Sequence, residues 1–168
     1  MRRQIVTIAR LLNRATLGLC ALLFGVMAMS VMGNVVLRYG LGSGLLWLQD
    51  LAIFSFGLMA ILSIPCALAM DRHVRIDIFR QNQSEASRCS TDQAGYWLFG
   101  VPQFLLLLYY VLPDVVYSAS IGERSQQIGG LPFFYLVKAG LPLACILTML
   151  QGLALLAAAT PDDKRDNA

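Results

Sequence analysis

Few side chains in this sequence are equipped for chemistry, and they stand apart from one another. There is one histidine, His73, so a membrane haem held by two histidines lacks its second ligand within one chain. The four cysteines, Cys20, Cys66, Cys89 and Cys145, form no Cys-x-x-Cys pair. No cluster of His, Cys and carboxylate residues offers a metal site. Three of the cysteines fall in apolar runs and one in a polar segment, a pattern of packing residues rather than of a disulfide framework. A phosphate-cradling glycine loop with its lysine, a Gly-x-Ser-x-Gly elbow and a His-Glu-x-x-His helix are missing from the sequence. No carboxylates are paired at membrane depth. Hence no catalytic, cofactor-binding or metal-ligating residue is assigned, no cofactor is expected, and the chain does not read as an enzyme.

The polar residues that remain stand at the borders of apolar runs, where their chemistry is ion pairing, hydrogen bonding and interfacial anchoring. Asn34, Arg38 and Tyr39 precede the glycine-rich stretch Gly40 to Gly44, and Trp47 and Asp50 follow it. Residues 51–70 then contain no Lys, Arg, Asp, Glu or His. At about 1.5 Å per residue these twenty positions cross roughly 30 Å, the thickness of a bilayer's hydrocarbon core. His73, Arg75 and Asp77 mark the far border. Later in the chain Glu123, Arg124 and Ser125 occupy a short polar segment. Lys138 lies one or two turns into the last apolar run, where a lysine can snorkel outward. Gln151 is deeper and needs a hydrogen-bond partner on another helix. Asp114 stands near the end of the third run, either as an interfacial carboxylate or as a partner in an ion pair.

The elements that position these residues are membrane spans. Of the 168 residues 57% are hydrophobic and only 14% charged, against about a quarter charged in soluble domains. The net charge of +3 is gathered at the chain ends and in one loop, which speaks to topology and lipid headgroups and not to nucleic acid. The expected fold is all-α, a single integral membrane domain over residues 1–168, with four transmembrane helices at about 15–37, 46–70, 94–118 and 132–158. Residues 3–13 carry Ile5, Ile8 and Leu12 at helical spacing among arginines and read as an amphipathic helix on the membrane surface leading into the first span. Whether they lie flat or continue that span is left open. Residues 72–80 read as a second interfacial segment, and 160–168 as a disordered tail.

Small residues recur on three spans: Gly18, Ala21, Gly25 and Ala28; Ala60, Ser63 and Ala67; and Gly140, Ala144, Thr148 and Gly152. Such faces let helix backbones approach closely in lipid. Pro65, Pro102 and Pro113 are expected to distort their helices, and Pro132 fits the first turn of the last one. Tyr96 and Trp97 at one end of the third span, with Tyr109, Tyr110 and Tyr117 towards the other, match aromatic belts. Ten lysines and arginines fall on the side holding the termini and residues 71–93, against Arg38, Arg124 and Lys138 on the other. The positive-inside rule then places both termini in the cytoplasm.

These features resemble the small membrane subunit of tripartite ATP-independent periplasmic (TRAP) transporters, the DctQ family. The carriers are Asn34 to Tyr39, Trp47 with Asp50, His73-x-Arg75-x-Asp77, Gly122-Glu123-x-Ser125, Pro132 with Lys138 and Pro142, and Gln151-Gly152. The chain departs from the family's usual glutamate pair after the tryptophan, having Gln49-Asp50, and has Arg72 where the family often has glycine. The resemblance implies a non-catalytic, multi-pass protein of a bacterial inner membrane, serving ion-gradient-driven uptake of organic acids such as carboxylates. Its implied partners are a large elevator-type transport subunit on a separate polypeptide, a periplasmic substrate-binding protein and membrane lipids. Under that reading Arg38, Trp47, Asp50, His73, Arg75, Asp77, Lys138 and Gln151 anchor the subunit or contact its partner, and Glu123, Arg124 and Ser125 help dock the delivery protein. Two readings of other classes compete. A four-helix redox or cofactor anchor would show a bound chromophore, and a small self-contained exporter would confer transport alone.

Overall fold

The computed structural model describes residues 2–70, 85–125 and 130–159. It is helical throughout, with no strand among the described residues, and four of its helices are long and apolar enough to cross a membrane. Helix α1 spans Arg2–Gly40, α2 Leu46–Ala69, α3 Glu85–Gly95, α4 Val101–Ser120 and α5 Phe134–Ala159.

Residues 3–13 are not a separate element. They run without a break into the first span as part of the 39-residue α1. No proline or glycine precedes Gly18 to interrupt the hydrogen-bond ladder. At 1.5 Å per residue α1 is roughly 58 Å long, almost twice the hydrocarbon core, so it has length to spare beyond its apolar section. Ala9 is buried and its carbonyl oxygen accepts a hydrogen bond from Gln151 Nε2 at 2.8 Å, which ties this extension to α5.

The glycine-rich turn folds as the sequence requires. Gly42 has φ +71°, a backbone conformation that side-chain-bearing residues rarely adopt. The Asn34 side chain reaches across from α1, its Oδ1 accepting the Leu45 N–H at 3.0 Å. This bond holds the start of α2 against the end of α1, and no side-chain cap at Leu45 itself is needed.

α3 and α4 form one continuous helical rod with a π turn, Tyr96–Gly100, at the join. The cause is Pro102, which has no N–H to give to the carbonyl one turn back and whose ring crowds that carbonyl. The Val101 N–H instead bonds to the Tyr96 oxygen five residues earlier. π bulges of this kind re-aim side chains. Here the Tyr96 ring swings onto α5, and its hydroxyl donates to the Met149 carbonyl at 2.7 Å. Pro65, Pro113 and Pro142 lie inside α2, α4 and α5, each of which continues past its proline.

α5 is the shared neighbour, touching α1, α2 and α4. Its small-residue ladder is what makes this possible. Gly140, Ala144, Thr148 and Gly152 are all buried. A methyl group placed on Gly140 would stand 2.7 Å from Leu58 of α2, and one on Gly152 would enter the Tyr96 ring. The corresponding face of α1 is used differently. Gly18, Ala21, Gly25 and Ala28 are exposed, and a methyl group on either glycine would meet nothing. The core proper is small, with Cys20, Leu62, Ala144 and Leu147 at its centre and Leu12, Leu23, Met59 and Ile61 packed against them. α4 buries only Ser118 and leaves Leu105, Leu106, Tyr109, Tyr110, Val116 and Tyr117 uncovered.

Candidate functional site

Residues 41–45, 121–125 and 130–133 lie at one end of the bundle, and the latter two segments are tightly organised around Glu123. The end of α4 supplies Ser118, which is fully buried and donates its hydroxyl hydrogen bond to Glu123 Oε2. The same oxygen pairs with Lys138 Nζ at 2.8 Å, one turn into α5. Lys138 also reaches Asp114 on α4 at 3.2 Å and lies 5.8 Å above the Phe134 ring. One cation thus bridges a carboxylate on α4 and another in the loop.

The loop backbone closes on itself around this network. The Glu123 N–H donates to the Ser118 carbonyl at 3.0 Å, and the Phe134 N–H donates to the Glu123 carbonyl at 3.1 Å. Ser125 N–H donates to Leu131 C=O, beside an antiparallel bridge between Arg124 and Pro132. Gly122 and Phe133 adopt positive φ, +60° and +77°, to turn the chain at each side. The cost of a left-handed phenylalanine, on the order of 1–3 kcal/mol, must be met by the bonds that flank it. Pro132 therefore stands in an extended bridge, and α5 starts two residues later than a proline at its first turn would place it.

Asp50 fixes the loop from the other side. It is 2% exposed, and its Oδ2 accepts the Leu131 N–H at 2.9 Å. A buried carboxylate thus joins the first turns of α2 to the segment before α5. Phe54 and Phe134 pack in a tilted arrangement one turn deeper, 5.6 Å between ring centroids.

The remaining sequence-selected residues divide by position. Arg38 and Trp47 are exposed at the same end, near the α1–α2 turn. Arg124 is exposed and Ser125 half-buried on the loop. Gln151 is buried at the opposite end in its bond to α1. His73, Arg75 and Asp77, with the segment 72–80 and the tail 160–168, lie outside the described residues. Among the described residues no three His, Cys, Asp or Glu side chains gather as a metal site would require. Cys20, Cys66 and Cys145 are buried free thiols.

Sequence reasoning missed Ser118, Tyr96 and the Leu131 amide. Ser118 is unremarkable among apolar neighbours. The Leu131 contribution is a backbone group and leaves no mark on residue type. By sequence Tyr96 fits an aromatic belt, and the proline six residues on is the available signal that its direction changes.

Four apolar spans, a clasped loop at one end and polar residues spent on holding helices together define an all-helical, multi-pass membrane protein. The family of tripartite ATP-independent periplasmic transporters, DctQ component, matches residues 27–161, from the middle of α1 to just beyond α5. The chain belongs to that family, whose members are the small components of TRAP transporters and work with a large membrane subunit and a periplasmic binding protein. Comparison with curated proteins gave no match.

Proposed function

We propose that this chain is the non-catalytic scaffold of an ion-gradient-driven uptake system for organic acids in a bacterial inner membrane. It braces a large elevator-type subunit and contributes to docking of the substrate-binding protein. Both termini face the cytoplasm, and the loop end, with residues 41–45 and 121–133, faces the periplasm. The observation that carries the reading is the division of labour among polar side chains. Asp50, Glu123, Lys138 and Gln151 are spent on internal bonds that stiffen the bundle, while apolar faces on α1 and α4 stay open. A fixed frame against which another subunit moves requires both properties.

Arg38 and Trp47 at the outer end, and His73, Arg75 and Asp77 at the inner end, serve as partner contacts or anchors, while Asp50 holds the outer end from within through its bond to Leu131. Alanine at Arg38, His73 and Asp77 is expected to weaken association with the large subunit and to lower uptake. Unchanged association and uptake would refute the partner-contact role. Docking is best separated by comparing Arg124→Ala with Glu123→Ala. Arg124 is exposed, so its loss tests surface contact alone, whereas loss of Glu123 also frees Ser118 and Lys138. A modest rise in the delivery-protein concentration needed for half-maximal uptake is expected for Arg124→Ala. The same uptake at every delivery-protein concentration would argue against docking through this loop.

A further inference from the structure

A groove of about 340 Å³ runs between the ends of α1 and α2, lined by Ser30, Val31, Asn34, Val35, Arg38, Gln49, Ala52 and Ile53. Its volume falls at the lower end of small-molecule sites. Its two halves differ in chemistry. Towards the loop end stand the Arg38 guanidinium and the Gln49 and Asn34 amides. Asn34 Oδ1 is committed to the Leu45 N–H, so the group it can offer is its NH₂. The Ser30 hydroxyl donates to the Val26 carbonyl, so the free side-chain donors that line the groove are those of Arg38, Gln49 and Asn34. Val31, Val35 and Ile53 supply apolar walls, and each is about half exposed to what surrounds the bundle.

No carboxylate pairs with Arg38 among the described residues. The neighbouring acid, Asp50, is buried and committed to Leu131. Successive helix residues point about 100° apart, so Gln49 faces the groove while Asp50 faces away from it. Arg38 lies in the last turn of α1, where the helix's partial negative charge favours a cation. That partial charge is only about half an elementary charge, so a positive surplus remains. A cation with amide donors above an apolar channel matches an amphiphile with an anionic head.

We propose that this groove is a binding site for an anionic phospholipid. Its phosphodiester is held by Arg38 with the Gln49 and Asn34 amides, and the upper part of one acyl chain lies along Val31, Val35 and Ile53. A free anion would use the donors and leave the apolar walls idle. A phospholipid uses both halves and is present at this depth in any membrane the chain enters.

The test is native mass spectrometry of the full chain released from nanodiscs containing equal phosphatidylglycerol and phosphatidylcholine. The wild type is expected to retain phosphatidylglycerol in preference. Arg38→Gln is expected to lower that retention about fivefold, the worth of one arginine at an anionic surface. Gln49→Glu leaves the guanidinium in place but puts a carboxylate beside it, and is expected to act in the same direction, which guards against misfolding of the first variant. Excess inorganic phosphate should not displace the lipid. Equal retention of both lipids, retention unchanged in both variants, or full displacement by phosphate would overturn the proposal. Retention unchanged in both variants, with binding to the large subunit lost in both, would assign Arg38 to a protein carboxylate instead.

Discussion

Asp50 and Lys138 illustrate how single polar residues are used in this protein. Asp50 is buried and accepts a backbone N–H from a loop eighty-one positions away. Asp50→Asn preserves an acceptor oxygen, whereas Asp50→Ala leaves the Leu131 N–H without its partner. The alanine variant is expected to lose about 1–3 kcal/mol in detergent unfolding, with asparagine close to wild type. Equal loss in both would show that the charge, and not the hydrogen bond, is what matters. For Lys138 the expected readout is local. Lys138→Met leaves Glu123 and Asp114 without their shared cation, so the loop opens and trypsin cuts after Arg124 faster than in wild type. Lys138→Arg retains the pairing and the slower cleavage. The sequence could nominate Lys138, Glu123 and Asp114 separately, because each is a charge beside an apolar run. It could not join them, since the join depends on how a turn with two positive-φ residues closes.

At the scale of elements, long apolar runs bounded by charge and aromatic residues were legible because the bilayer's thickness dictates their length. The ladder on α5 was legible for a related reason, since small residues every four positions mark a helix that others approach. The continuity of α1 is not legible in the sequence, because an arginine-rich amphipathic turn suits both a surface helix and an extension. Gln151 decides it within the fold by its bond to Ala9. The π turn was hidden, since Pro102 forecasts a distortion but not which one. Its consequence is a sharp contrast between two glycines. Gly152→Ala must displace the rigid Tyr96 ring and weaken its bond to Met149, at a cost of roughly 1–3 kcal/mol. Gly140→Ala meets only the mobile end of Leu58 and should cost clearly less. Thermal unfolding of the two variants in the same detergent checks the order. A smaller loss for Gly152→Ala than for Gly140→Ala would contradict the role given to Tyr96.

The whole molecule joins a rigid interior to incomplete cover. α5 holds the bundle together, the loop end is clasped by Asp50 and Lys138, and α4 and one face of α1 carry uncovered apolar and small residues. A lipid-facing surface needs no small residues, so the exposed row at Gly18, Ala21, Gly25 and Ala28 fits a helix from another chain. Membership of the DctQ family supplies the kind of partner, a large membrane subunit. The most direct test is a mild-detergent pull-down of the tagged chain from its native membranes, with a parallel variant carrying leucine at Gly18 and Gly25. The wild type is predicted to recover one large membrane protein of many spans in roughly equal amount, and the variant to lose it while remaining folded. Recovery of the wild-type chain alone, monodisperse and folded, would contradict the scaffold role proposed for it.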